Sequence, residues 1–327
     1  MTAQGTAKAL WYVAPGVAEL REEAVPSPGL GEALVRMLAS GLSRGTERLV
    51  LGGRVPPSQW GTMRAPLMGG EFPFAVKYGY AAVGVVEAGP AALIGQRVFC
   101  LHPHQDRFVA PAAMCIPVPD GVPDLRAVLA ANMETALNIL WDARPLPGER
   151  ALVIGAGVVG LLVAALLGRI PGMEVLLCDT DPARAGLAAA LGLGFAAPAA
   201  VPVGWELVIH ASADPAGLRL GLERAGFEAR IVEASWYGDK PVTLPLGEAF
   251  HARRLQLISS QVGQVAPAMR GRRTYAERLA LALALLEDAR LDALLAPPVR
   301  FDDLPAALPG LLEGEAIWPC PTIRYGE

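Results

Sequence analysis

Two patterns of apolar and polar positions divide this chain. Up to about residue 137 the apolar positions come in short runs, at 33–38, 81–86, 97–101 and 107–109, parted by Pro- and Gly-rich clusters at 26–31 and 119–123. Runs of that length between turn residues predict strands, and together they predict a small, mostly antiparallel β domain. From about 138 to 266 the texture changes. Strand-like runs at 151–154, 174–178, 206–209, 229–232 and 255–259 alternate with helix-like segments at 158–167, 182–191 and 216–222. Such alternation predicts a parallel sheet covered by helices on both faces. A helix at 275–287 and a short strand at 322–325 follow, and no internal repeat is visible. The fold class is therefore α/β, with a doubly wound sheet beside a β-rich domain.

Composition narrows the function classes. Hydrophobic residues make up 53% of the 327 and charged residues 18%, which excludes a disordered chain. Lys and Arg number 28 against 32 Asp and Glu, and no basic run reaches five residues, so no nucleic-acid partner is expected. One long, strongly apolar uncharged run, residues 151–168, reads ALVIGAGVVGLLVAALLG. Its early glycines fit a strand, a turn and a buried helix better than a membrane span. With no signal-type apolar core at the N-terminus, a cytoplasmic protein is expected. The cysteines at 100, 115, 178 and 320 lie far apart and do not read as a disulfide framework.

The apolar run carries the strongest chemical signal. Gly155, Gly157 and Gly160 stand at GxGxxG spacing, directly after a strand and at the start of a helix that includes Val158 and Val159. The first glycine permits the tight turn, the second lets backbone approach a pyrophosphate, and the third lets helix and sheet pack closely. The helix start offers free N–H groups to the phosphates. Asp179 ends the next strand, about 20 residues on, where a carboxylate accepts hydrogen bonds from the adenosine ribose and repels a 2′-phosphate. NAD(H) is therefore favoured over NADP(H), with Arg184 the one feature pulling the other way.

Further motifs give a family resemblance. The segments Gly41-Leu42-Ser43-Arg44-Gly45-Thr46-Glu47, Gly79-Tyr80-Ala81-Ala82-Val83-Gly84, Glu134-Thr135-Ala136 and Pro147-Gly148-Glu149 accompany the fingerprint. The whole chain resembles the medium-chain dehydrogenase/reductase (alcohol dehydrogenase-like) superfamily, and SGxSxGTE is similar to its bacteriochlorophyllide dehydrogenase-like branch. The resemblance implies a GroES-like catalytic domain from residues 1–137 and 267–327, a Rossmann NAD-binding domain from 138–266, a small-molecule substrate between them, and a homodimer. Where zinc-containing members carry Cys, His and Glu, this chain has Ser43 or Arg44, Tyr80 and Ala81, and no CxxC spacing marks a structural site. Zinc needs three such ligands, so no metal is expected at either place.

Without a metal, the substrate oxygen must meet a hydroxyl, an imidazole or a cation. Ser43, Thr46, Tyr80 and His102 are the catalytic candidates. By resemblance Thr46 matches a proton-relay position and Tyr80 faces the cleft; alternatively Thr46 and Glu47 cap a helix, and Tyr80 is a core aromatic. His102 and His104 read either as a loop-borne acid or as solvated loop residues. Glu134 either acts as a base or pairs with Arg44 or Lys77. Ser212, after the strand at 206–209, and Ser259 and Gln261, after the last Rossmann strand, are placed by resemblance on the coenzyme. Residues 236–239 either wall the substrate site or fill space, and Cys100 and Cys178 read as buried, inert thiols. The reading is a zinc-independent, NAD(H)-dependent oxidoreductase interconverting an alcohol and a carbonyl. The alternatives are an NAD(P)H-dependent quinone or enoyl reductase and a non-catalytic dinucleotide-binding protein.

Overall fold

A computed structural model describes residues 3–238, 240–314 and 318–326. Two compact units emerge, Met1–Ala131 with Leu279–Glu327, and Asn132–Arg278. The sequence boundaries at 138 and 266 fall inside the second, by 6 residues at its start and 12 at its end. Arg278 explains the later return. Its guanidinium donates to Glu134 (3.0 Å), to Asn138 Oδ1 (2.7 Å) and to the carbonyls of Val262 and Gln264, which ties 260–278 to the start of the second unit.

In chain order the first unit opens with strands β1 (Ala3–Ala14), β2 (Val17–Pro26) and β3 (Glu32–Gly41), then helix α1 (Arg44–Leu51) and the single turn α2 (Trp60–Met63). Strands β4 (Gly69–Gly70), β5 (Val76–Lys77), β6 (Ala82–Ala88), β7 (Arg97–Cys100), β8 (Arg107–Pro111) and β9 (Ile116–Pro117) follow, then α3 (Asp124–Ala127) and α4 (Ala130–Ala143). The second unit continues through β10 (Arg150–Ile154), α5 (Val158–Leu167), β11 (Glu174–Cys178), α6 (Arg184–Ala190), β12 (Gly194–Ala196), β13 (Trp205–His210), α7 (Pro215–Arg224), β14 (Ala225–Glu233) and β15 (Gln256–Ser259). Helix α8 (Tyr275–Leu285) leads back to the first unit, which ends with β16 (Val299–Arg300), α9 (Leu304–Glu313) and β17 (Thr322–Arg324).

The second unit's sheet is parallel throughout, in the order β12-β11-β10-β13-β14-β15. Reversal of order beside β10 opens a crevice at the carboxyl ends of β10 and β13, the place where doubly wound sheets take ligands. Helix α5 is almost wholly buried, which accounts for the long uncharged run. Among the described residues no helix is long and apolar enough to cross a membrane.

The first unit holds two sheets, β2-β1-β5-β4 and β16-β17-β3-β6-β7-β9, with β8 also on β3. One apolar cluster joins them, including Leu10, Met37, Leu42, Phe72, Val98, Phe301 and Ile323. The hairpin β1–β2 escaped the sequence reading because residues 3–26 mix Ala, Lys and Glu without clean alternation. Cross-strand pairing supplies what propensity lacks. The Trp11 indole donates to Glu23 (2.6 Å), and the Arg21 guanidinium lies over the Trp11 ring.

Candidate functional site

The glycine turn has the geometry its spacing predicts. Gly155 sits at φ +104°, where an L side chain is strained, and a Cβ there meets Ser212 N at 2.7 Å. A Cβ on Gly160 falls 1.8 Å from the Gly155 carbonyl oxygen, so only glycine lets α5 lie this close to the turn. At Gly157 a Cβ meets nothing within 4 Å, leaving open space at the helix N-cap. The first N–H groups of α5, from Val158 and Val159 onward, lack intrahelical acceptors by helix geometry. Tight turn, open approach and unsatisfied donors fit a dinucleotide's pyrophosphate.

Asp179 stands beside this turn. One carboxylate oxygen accepts the Ala156 N–H (2.6 Å) and the other the Asp181 N–H (2.9 Å). Each oxygen keeps a further lone pair for a ribose hydroxyl. Arg184 pairs with Asp181 at 3.1 Å, so its charge has a partner within its own turn.

At the carboxyl end of β13 the structure assembles a cluster that the sequence showed only in part. His210 is fully buried, and its Nδ1 lies 2.8 and 2.9 Å from the two Glu233 carboxylate oxygens at the end of β14. Carboxylate oxygens accept, so Nδ1 carries the proton. In the neutral ring Nε2 is then an acceptor, and the Ser212 hydroxyl donates to it at 2.7 Å. Ser212 is exposed, and its oxygen also accepts the Asp214 N–H (3.2 Å). Tyr237 donates to Glu233 (3.1 Å), and burial with that carboxylate raises its phenol well above the ordinary range. Tyr237 thus belongs to the His210–Glu233 group; Asp239 of the same segment lies outside the described residues. Ser259, the last residue of β15, and Gln261 beyond it are exposed, while Ser260 between them donates to Asp142 (2.6 Å).

The first unit brings three of the four catalytic candidates together. Ser43 precedes α1, Thr46 lies in its first turn, and both hydroxyls face the Tyr80 phenol. Burial pushes Tyr80 up to about 12, and the two hydroxyls offset part of that rise. Beneath them lies a chain of buried polar groups. Glu47, 1% exposed, accepts from Tyr12 OH (2.7 Å), His104 Nε2 (3.1 Å) and the Ser43 N–H (2.8 Å). His104 Nδ1 meets Ser40 Oγ (2.8 Å), which meets Tyr325 OH (2.9 Å). Glu47 is therefore far more than a helix cap. Tyr12 and Ser40 come from distant strands and Tyr325 directly follows β17, and nothing in their local sequence announces a role.

His102 stands apart from that group. Its Nδ1 donates to the Pro103 carbonyl (2.9 Å), its ring stacks on Phe108 (centroids 3.6 Å apart), and no hydrogen bond joins it to Ser43, Thr46 or Tyr80. Burial lowers its pKa to about 3, which holds the ring neutral. Both histidines are buried, not solvated loop residues. Glu134 takes neither partner considered for it. It pairs with Arg278, while Arg44 donates to the Gly314 carbonyl and Lys77 pairs with Glu23 (2.6 Å).

The donor set at the metal positions of the resembled family consists of the Ser43 and Tyr80 hydroxyls. The nearby Glu47 carboxylate already receives three donors. These residues do not suit zinc, and among the described residues no three His, Cys, Asp or Glu side chains converge as ligands.

Comparison with known proteins adds the fold's relatives. No family model matches the chain. It is 27% identical over 189 residues to L-galactonate-5-dehydrogenase of Escherichia coli K12, covering 50% of this chain. The match spans about half, 53%, of that relative's own length. An alcohol dehydrogenase of Escherichia coli CFT073, complexed with NADH, superposes with a TM-score of 0.79 at 18% identity, over 98% of this chain and 99% of that one. A protein of Sinorhizobium meliloti 1021, described as a zinc-binding dehydrogenase and bound to NADP, gives a TM-score of 0.78 at 15% identity, over 98% and 100%. The chain has the fold of these dehydrogenases.

Proposed function

We propose that the protein is a zinc-independent, NAD(H)-dependent oxidoreductase interconverting an alcohol and a carbonyl on a small molecule. One observation carries the reading: a glycine turn fitted for a dinucleotide occurs in a dehydrogenase fold whose metal positions hold hydroxyls. The bound nicotinamide supplies the hydride acceptor or donor. Gly155, Gly157, Val158, Val159 and Gly160 hold the pyrophosphate, and Asp179 takes the ribose hydroxyls. Ser212, exposed at the carboxyl end of β13, contacts the coenzyme, and Ser259 and Gln261 meet the nicotinamide end.

The Tyr80 phenol, raised to about 12, keeps its proton at neutral pH and so donates a hydrogen bond to a carbonyl oxygen during reduction. As the oxygen becomes an alkoxide it takes the Tyr80 proton, and Ser43 and Thr46, which hold the phenol's orientation, relay a replacement proton from water to it. His102, neutral and packed on Phe108, supports the strand ends rather than the reacting oxygen. The polyol and sugar-acid names among the relatives make such alcohols the first substrates to try, with a bacteriochlorophyllide added on the SGxSxGTE likeness. A homodimer agrees with the resemblance.

Steady-state assays with NADH and NADPH across polyols, sugar acids, ketones and quinones, with metal analysis, test this. Tyr80→Phe is expected to lower kcat about 100-fold while leaving the NADH Kd unchanged. Unchanged turnover removes Tyr80 from the chemistry, and stoichiometric zinc required for activity overturns the metal-free reading.

A further inference from the structure

Cys100 and Cys115 are far apart in sequence, yet the first unit sets them opposite each other. Strands β7 and β9 pair antiparallel with Val98 against Pro117 and Phe99 against Ile116. One step further along that register places Cys100 against Cys115. Positions in such a ladder alternate between hydrogen-bonded and non-hydrogen-bonded pairs. The Val118 N–H donates to the Arg97 carbonyl (2.9 Å), which marks 97/118 as bonded and makes 100/115 a non-bonded pair. Consistently, the Cys115 N–H turns away to the Ala112 carbonyl, and the Cys100 carbonyl takes the His102 N–H. Non-bonded pairs bring Cα atoms to about 4.5 Å with side chains close, within the range a disulfide spans.

We infer that Cys100 and Cys115 form a cross-strand disulfide when the protein meets a peroxide. The two side chains already interact. The Cys100 thiol donates toward the Cys115 sulfur, which lowers the Cys115 thiol below its ordinary range and raises Cys100. Both are free thiols and buried, so the oxidant must be close to water in size, as hydrogen peroxide is. The Cys115 thiolate attacks one peroxide oxygen, giving a sulfenic acid, and the expelled hydroxide takes a proton to become water. The Cys100 sulfur then attacks the sulfenic sulfur, forming S–S, losing its proton and releasing a second water. Two thiols and one peroxide thus become one disulfide and two waters. The bond closes residues 101–114 into a loop. That loop carries His104 of the buried Glu47 chain, and the closure constrains the unfolded state.

The test uses the full protein. It is treated with a modest excess of hydrogen peroxide, then denatured and alkylated with N-ethylmaleimide. A mass about 2 Da lower before alkylation, two alkylated cysteines instead of four after it, and a Cys100–Cys115 crosslinked peptide after digestion are the expected results. The Tm should rise by a few degrees and fall back with dithiothreitol. Cys115→Ser should remain alkylatable at Cys100 under the same treatment. Four alkylatable thiols after treatment, or a crosslink joining any other pair, overturns the inference. The wild-type peptide map decides the matter even if the variant fails to fold.

Discussion

The two candidate clusters differ in how they are built. In the second unit the glycine turn is contiguous in sequence, and its local backbone does the work. In the first unit the Tyr80 hydroxyl set rests on Glu47, His104, Ser40, Tyr12 and Tyr325, drawn from α1, the segment before β8, β3, β1 and the residue after β17. A ligand site made of backbone amides needs a motif. A proton-handling site made of buried side chains needs a whole fold to desolvate and satisfy them.

Substitutions sharpen that contrast. Gly160→Ala drives a Cβ into the Gly155 carbonyl and should cost about 1–3 kcal/mol of stability and at least about 100-fold in NADH affinity. Isothermal calorimetry with unchanged affinity breaks the pyrophosphate assignment. Glu47→Gln, which turns one of two buried accepting oxygens into an NH2 donor facing groups that donate, should lower stability by about 1–3 kcal/mol without changing NADH binding. Urea unfolding reads the first effect and a coenzyme titration the second; loss of binding alone would erase the distinction between the clusters.

A smaller effect belongs to Asp179→Ala. NADH affinity should fall about tenfold, and NADPH affinity less, because only the unphosphorylated ribose offers hydroxyls to that carboxylate. Equal losses remove the basis for the NAD(H) preference.

A further effect, spread over several pH units, concerns acid stability. His102 is held neutral down to about 3, whereas an exposed histidine protonates near 6.5. As pH falls between those values the unfolded chain binds a proton that the folded chain does not. Stability contributed above 6.5 is therefore lost toward 3, with a slope of up to about 1.4 kcal/mol per pH unit. His102→Asn should flatten that limb in urea titrations at graded pH, and an unchanged slope assigns the acid sensitivity elsewhere.

Local chemistry made the second unit legible. Strand, glycine turn, helix and following acid each depend on neighbours within a few residues, so the parallel sheet and the turn could be read directly from 151–179. The hydroxyl triplet was legible in part, because Ser43 and Thr46 share one helical start and Tyr80 stands at a recognisable motif position.

By itself the sequence determined the alternation that makes a doubly wound sheet and the glycines that let backbone meet a phosphate. Only the tertiary structure decided which polar groups are desolvated together. It moved His102 away from the candidate chemistry, gave Glu134 to Arg278, and set Cys100 against Cys115. Backbone turns depend on short-range sterics, whereas burial and pairing of side chains depend on strands that meet only after the chain has closed on itself.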